Sequence, residues 1–262
     1  MKSLRQSITD IIQTEMTLAG YELTMKSKYR HSLDSFVFAY TNAGGVRDNI
    51  KIEINYSQRS HILPLEKRPI ETLGMFTPVE VQTVSPMEIF AGKINALLTR
   101  TAARDLYDVN NMILTGLFNK EQQDMLRKCT VFYSAVGGDD MPGELTPDKM
   151  KDITYHNIRT GLIPVIRKQE RFDFMTTKDR VKQYLSNLLI LTDNERDFLS
   201  SFRNGSYRPE LLFEGEILTR IKDHHIAIFT NHLRITINCL LFAIRISQDI
   251  IVLLLRCHTR LW

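Results

Sequence analysis

Hydrophobic and polar positions divide the chain into a part that mixes helix with strand and a part that is helical. Apolar residues recur with a helical period between residues 3 and 19, and Gly20 ends that pattern. Residues 21–30 alternate like a strand, and residues 35–56 contain two strand-like runs joined by a turn at Gly44-Gly45. The pattern predicts a helix, a strand and a β-hairpin in this region.

The second strand of the hairpin has one apolar and one polar face. The apolar face consists of Ile50, Ile52, Ile54 and Tyr56, and the polar face consists of Lys51, Glu53 and Asn55. Glu53 could help to position a metal-bound nucleophile, since metal-assisted phosphoryl transfer uses carboxylates around Mg²⁺. The alternative is a surface strand with ordinary ion pairs, and the spacing leaves both interpretations open.

The strongest helix start follows a third strand-like run, residues 79–84. Ser85 can cap a helix, Pro86 suits its first position, and Glu88 would complete a capping box. Beyond about residue 115 the strand signals fade, and residues 146–169, 176–190 and 192–202 are typical of capped helices. We therefore predict an α+β fold with a first domain at 1–117 and a helical domain at 118–262.

Composition excludes few functional classes. The 262 residues are 43% hydrophobic with a net charge of +4, which permits an anionic partner but does not require one. Cys129, Cys239 and Cys257 form no CxxC pair, which argues against a disulfide framework or zinc ribbon. The chain starts without the apolar run of a signal peptide, so we expect a cytoplasmic protein.

The C-terminal tail after residue 229 is apolar. Arg245, Gln248 and Asp249 interrupt its hydrophobic runs, and neither run approaches the ~20 residues that a transmembrane helix needs. The tail is therefore predicted to be a buried helix or strand, and no membrane partner is expected.

Residues 92–109, GKINALLTRTAARDLYDV, carry the candidate chemistry. On one continuous helix, Lys93, Arg100, Arg104 and Asp108 would share a narrow face. If the helix breaks near RTAAR, Lys93 would still converge with Asp105 and Asp108 from a consecutive helix. Aligned cations repel each other, so a phosphate could offset them. The alternative is a solvated face with an Arg104–Asp108 pair.

Three segments in this order resemble the AbiEii/AbiGii nucleotidyltransferase toxins of type IV toxin–antitoxin and abortive-infection (phage-defence) systems. The segments are NIKIEINY at 49–56, VQTVSPMEIFAGKINALLTRTAARDLYDV at 81–109, and residues 191–228 with their YRPELLF motif. The pattern K-x-x-A-L-x-x-R-x-x-x-R-D-x-x-D, which starts at Lys93, is the specific part. The resemblance implies a partial polymerase-β-like nucleotidyltransferase domain with a small mixed sheet, followed by a helical domain.

The same resemblance implies transfer of a nucleotide from an NTP, with Mg²⁺, to an RNA such as tRNA or to a protein, and a cognate antitoxin encoded nearby. Glu53 matches a catalytic, metal-binding carboxylate, and Lys93 matches the lysine at the triphosphate. Asp105 and Asp108 match carboxylates that orient the lysine or act as a base. The implied phosphate-binding set consists of Lys93, Arg100 and Arg104.

The sequence also departs from the family pattern. Family members carry a Gly-Gly or Gly-Ser loop and a D-x-D pair upstream, whereas Asp10, Asp34 and Asp48 stand singly before Glu53. We therefore expect a truncated member with an exposed sheet edge and little or no activity by itself. The alternatives are a non-catalytic module that binds RNA, nucleotide or antitoxin, and a fragment that needs a separate N-terminal piece.

Overall fold

The computed structural model describes residues 2–30, 33–56, 61–70, 77–137, 144–224 and 227–228. The chain forms two compact units, Met1–Arg59 and Ser60–Trp262. The α+β fold class is confirmed. The predicted domain boundary at residue 117 lies within the second of these units. That boundary stays a prediction.

The first unit is one helix and an antiparallel sheet. Helix α1 spans Lys2–Leu18, and the strands are β1 (Glu22–Leu23), β2 (Lys28–Tyr29), β3 (Leu33–Thr41) and β4 (Arg47–Asn55). β1 and β2 pair with successive parts of β3, and β4 pairs with the other edge of β3 along its full length. The predicted helix and hairpin are confirmed, and the described strand pairs are antiparallel rather than mixed.

A small core under β3 supports this sheet. Phe36 and Phe38 are fully buried on one face of β3, and their rings stack with centroids 6.4 Å apart. Asp34 lies on the same face and is also buried. Arg5 of α1 donates to it through Nε at 2.9 Å, and the Tyr56 hydroxyl donates at 3.0 Å. The helix is therefore joined to the sheet by a partly buried ion pair.

The second unit is mostly helical. It begins with the two-stranded antiparallel sheet of β5 (Glu66–Pro69) and β6 (Glu80–Thr83). The helices are α2 (Pro86–Arg100), α3 (Ala103–Leu114), α4 (Gln123–Val136), α5 (Tyr155–Gly161), α6 (Phe174–Leu188), α7 (Asp193–Arg203) and α8 (Gly215–Ile221). Short 3₁₀ turns span Pro147–Asp152, Ile163–Val165 and Pro209–Leu211.

The core of this unit centres on Phe132 of α4. Its ring packs against those of Phe198, Phe213 and Tyr207 with centroids 6.3–6.5 Å apart, and against His224 at 5.1 Å. These partners come from α7 and from segments after it, so one aromatic side chain joins distant parts of the sequence. Burial of these rings contributes to the stability of the helical unit.

Residues 92–109 follow the second of the two arrangements considered above, with a break near RTAAR, because α2 ends at Arg100 and α3 begins at Ala103. The capping box predicted at the start of α2 is wrong. Pro86 does occupy the first turn of α2, but Ser85 makes no side-chain cap. Glu88 instead turns into the interior, where it accepts hydrogen bonds from the Tyr133 hydroxyl and the Leu63 amide.

The later helices agree better with the sequence. Thr192 and Glu195 form a reciprocal capping box at the start of α7, and the Asp173 carboxylate caps α6. The predicted start of α7 at Thr192 is confirmed, whereas α6 begins before the predicted range 176–190 and its cap is Asp173. The apolar tail after residue 229 lies outside the described residues. Among the described helices, none has the length and hydropathy that a membrane crossing requires.

Candidate functional site

A cavity of about 720 Å³ in the second unit brings most of the candidate residues together. Lys93, Arg100, Arg104, Asp105 and Asp108 all line it. The rest of the lining comes from α3 and from the chain that follows α5: Tyr107, Leu162, Val165, Ile166, Arg167 and Glu170. Five of the six residues that the sequence singled out therefore meet at one place.

The break between α2 and α3 produces this convergence. Thr101 adopts a left-handed conformation with φ of 51°, and among the described residues it alone does so without being glycine. A β-branched residue in this region is strained, because its Cβ crowds the following carbonyl. The turn separates the helix that carries Lys93 from the helix that carries Asp108, so that the two side chains can face each other.

Lys93 and Asp108 form an ion pair across the two helices. The Lys93 Nζ lies 2.7 Å from Asp108 Oδ2, and both side chains are partly exposed to the cavity. The predicted alternative, a pair between Arg104 and Asp108 within one helix, is not formed. Asp108 therefore fixes the direction of the ammonium group.

Arg100 and Asp105 form a second, stronger pair. The Asp105 carboxylate is only 1% exposed and accepts from Arg100 Nε and Nη2, both at 2.7 Å. This bidentate arrangement raises the pKa of Arg100, chiefly through the hydrogen bonds to Asp105. A carboxylate that is buried and doubly engaged has little access to a substrate proton, so its geometry suits positioning rather than base catalysis.

The remaining cations have fewer anionic contacts. Arg104 Nε donates to the Gly161 carbonyl at 2.9 Å, and the residue lines the cavity. Arg167 is exposed at the rim. The Tyr107 hydroxyl donates to Glu170 at 2.6 Å, and this bond raises the pKa of Tyr107. The cavity thus combines four cations with three carboxylates.

The sequence analysis did not assign a role to Arg167, Glu170 or Tyr107. Arg167 and Glu170 lie about sixty residues after α3, in the charged stretch RKQER, and no spacing rule connects them to Lys93. Tyr107 does lie inside the motif, between Asp105 and Asp108. Its position between two candidate carboxylates was the available signal.

Glu53 lies in the first unit, on the exposed polar face of β4. Its carboxylate forms an ion pair with Lys51 of the same strand at 2.7 Å, and its cross-strand neighbour is Ser35. The buried carboxylate of this unit, Asp34, lies on the opposite face of the hairpin. The metal-binding role that the resemblance implies for Glu53 stays a prediction.

The surroundings of Glu53 do not fit a complete Mg²⁺ site. Mg²⁺ prefers several oxygen ligands, and a neighbouring ammonium opposes cation binding. Nowhere in the described part of the chain do three or more side chains of the metal-binding types come together. The Mg²⁺ that the resemblance implies is therefore not assigned to protein ligands.

Comparison with protein families decides the identity. The model of the family "Nucleotidyl transferase AbiEii toxin, Type IV TA system" matches residues 2–195. The chain belongs to this family. Searches of curated proteins and of solved structures gave no match.

The region that matches the AbiEii family includes the residues of the cavity. The match covers α1, the hairpin and the helices up to the start of α7, so both units contribute to the family region. The family description implies a nucleotide substrate and an antitoxin partner for a toxin of this type. The residues that resemble its motif are the residues that line the cavity.

Proposed function

We propose that the cavity between α2, α3 and the segment after α5 binds the triphosphate of an NTP, and that the chain transfers a nucleotide from it to an RNA or protein acceptor, with tRNA as the first candidate. The observation that carries this proposal is the meeting of Lys93, Arg104 and Asp108 with Arg167 at one cavity. About 720 Å³ lies within the range of roughly 300–1,000 Å³ that is usual for small-molecule sites.

Charge supports a phosphate ligand. Asp105 neutralises Arg100, and Asp108 orients Lys93 without burying it. Arg104 and Arg167 contribute further positive charge to the lining of the cavity. Arginine binds phosphate through a planar fork and lysine acts as a point charge, so the set can hold several phosphate oxygens.

The proposed chemistry is mainly positioning and charge stabilisation, as is general for phosphoryl transfer. Lys93 would stabilise charge that develops on the phosphate oxygens, and Asp108 keeps its ammonium aimed at the cavity. Glu53, which resembles the family's metal-binding carboxylate, is proposed to act only when further ligands complete its site. Because no D-x-D pair precedes Glu53, we propose that turnover by this chain alone is weak or absent.

Nucleotide binding tests the proposal directly. Isothermal titration of purified protein with each NTP, in buffer with Mg²⁺, should give saturable binding. Lys93→Ala should weaken it about tenfold or more, since loss of a charged hydrogen bond costs roughly 1.5–3 kcal/mol. Lys182→Ala, which removes an exposed lysine of α6 that does not line the cavity, is the matched control. Equal effects of the two substitutions would contradict the proposal.

Transfer is measured separately. Labelled NTPs, Mg²⁺ and total tRNA are incubated with the protein, and label on RNA or on protein is followed. Robust transfer that Lys93→Ala abolishes would support the enzyme and overturn the proposed weak turnover.

The engagement of the carboxylates favours a second candidate, a non-catalytic binding module. Glu53, Asp105 and Asp108 each already contact a cation of the chain. A module of this kind would bind RNA, nucleotide or antitoxin with affinity that falls steeply with salt and does not depend on Mg²⁺. Titrations at several salt concentrations, with and without Mg²⁺, separate the two candidates.

A further inference from the structure

The outer edge of β4 is a long, accessible sheet edge. β4 has nine residues, and it pairs with β3 on one side only within the part of the chain that the structure describes. Its residues are exposed or half-buried throughout, and Ile50 on the apolar face is 41% exposed. An edge of this length offers a row of backbone donors and acceptors to another strand.

The sequence of this edge is symmetric. Residues 49–55 read Asn-Ile-Lys-Ile-Glu-Ile-Asn, and Ile52 lies at the centre. The two asparagines are equidistant from Ile52, as are Ile50 and Ile54. Lys51 and Glu53 are also equidistant from it, with opposite charge. The strand therefore complements itself when it is reversed.

We propose that β4 is a dimerisation edge, at which two copies of this chain pair antiparallel about a two-fold axis at Ile52. In this register Lys51 lies directly opposite Glu53 of the second copy, and Glu53 lies opposite the second copy's Lys51. Ile50 and Ile54 meet across the axis on the other face. Directly opposite residues of an antiparallel pair share a face, so both faces are matched at once.

Charge selects this register over its neighbours. A shift that centres the axis on Lys51 places two lysines opposite each other, and an axis at Glu53 places two glutamates opposite each other. A shift by a single residue puts isoleucines opposite charged side chains. Charged residues usually protect a sheet edge from pairing. Here they permit one pairing and oppose the others.

Lys51 and Glu53 can exchange their pair within one strand for pairs between two strands at little cost in free energy. In the isolated chain Lys51 and Glu53 contact each other at 2.7 Å, although both are about half exposed. In the dimer each finds the opposite charge on the neighbouring strand. The interface is isologous, as the commonest symmetric dimers are. It would give Glu53 a structural role that is independent of any part in catalysis.

Charge reversal tests the interface in the full chain. Light scattering over a dilution series should give twice the chain mass of 30.4 kDa at high concentration. Lys51→Glu or Glu53→Lys alone creates two like-charge pairs per dimer, which should raise the dimer dissociation constant about tenfold or more. The double variant K51E/E53K restores opposite charges and should return the constant to near its original value.

Three results would overturn the proposal. They are a monomer at all concentrations, a dimer that is indifferent to the single reversals, and a double variant as weak as the singles. If the chain stays monomeric and pairs only with a strand of another protein, the proposal is overturned as well. Circular dichroism of each variant checks that the sheet is retained.

Cysteine cross-linking tests the register even if a charge variant folds poorly. In a background with Cys239 and Cys257 changed to Ser, Ile52→Cys lies on the two-fold axis and should cross-link to itself under mild oxidation. Ile50→Cys alone is the matched control and should not, because Ile54 lies opposite it. A mixture of the Ile50→Cys and Ile54→Cys proteins should cross-link. Efficient self-linking at position 50, or none at 52, would contradict the proposed axis.

Discussion

The two units of the chain treat their polar groups differently. In the helical unit, the buried carboxylates Glu88, Asp105 and Glu195 accept hydrogen bonds from a tyrosine and two arginines. In the sheet unit, Asp34 is the buried carboxylate of the described residues, and the edge of β4 remains accessible. Both units satisfy these buried carboxylates with their own side chains, and the sheet unit has in addition the accessible edge of β4.

This difference suggests a division of roles. Internal ion pairs fix side chains in place, which is what a binding cavity needs. An accessible edge is suited to pairing with another chain, which is what an interaction unit needs. On this view the Lys93 cavity and the β4 edge are independent features. Each of the following predictions tests one side of the comparison.

The largest effect is expected in the aromatic core of the helical unit. Phe132→Ala should destabilise this unit by about 3–5 kcal/mol, since it leaves a cavity among four ring partners that come from distant segments. Hydrogen exchange of α4 and α7 measures the loss segment by segment. Phe38→Ala in the sheet unit should cost less, because half-buried neighbours can move into the space. If Phe132→Ala and Phe38→Ala lowered stability equally, the two cores would not differ in their contribution to stability.

A buried ion pair gives the next effect. Arg127 and Glu195 are 13% and 1% exposed, with Nε to Oε1 at 2.9 Å. Glu195→Ala leaves Arg127 without its buried partner and removes the α7 capping box. The free energy of unfolding should therefore fall by about 3 kcal/mol. Asp193→Ala breaks the exposed pair with Arg196 in the same helix turn and should change stability little. Urea denaturation of both variants makes the comparison.

The sheet unit has its own counterpart in Asp34. Asp34→Asn removes the charge that Arg5 contacts from α1, and the loss should be about 2 kcal/mol, as for a hydrogen bond to a charged group. Thermal unfolding measured by circular dichroism gives the value. If the substitution were neutral, the ion pair would not be what joins helix to sheet.

Periodicity was enough to predict α1, the start of α2, the hairpin and α7 with its Thr192 cap, but it did not predict α4 or the Asp173 cap of α6. It allowed either a continuous helix or a break near RTAAR and did not decide between them, because threonine is not a residue type that favours the left-handed backbone of Thr101. It misjudged Glu88 because Tyr133, whose hydroxyl donates to that carboxylate, is forty-five residues away in sequence. The motif at Lys93 predicted five cavity residues, whereas Arg167 and Glu170 needed the three-dimensional structure.

Strain at Thr101 should be small but measurable. Thr101→Gly relieves a positive φ that a β-branched side chain tolerates poorly, and it should stabilise the second unit by roughly 0.5–1 kcal/mol. Thr101→Ala keeps a Cβ and should gain less. Thermal denaturation ranks the three proteins. A loss of stability in the glycine variant would show that the threonine side chain supports the turn.

The smallest expected contribution to stability is that of the Asp173 cap of α6, and its dependence on pH can be measured. Hydrogen bonds from the Thr176 side chain and amide lower the pKa of Asp173 below its usual value. A carboxyl group whose pKa is lower in the folded state stabilises the fold above its unfolded pKa, and this contribution disappears as the pH falls through the folded value. Asp173→Ala should therefore lower the melting temperature slightly at neutral pH, and the difference from the parent protein should shrink as the pH falls through the lowered pKa of the folded state. A difference between the two proteins that persists undiminished in acid would mean that Asp173 acts through packing. A difference that fades as described would assign the effect to its charge.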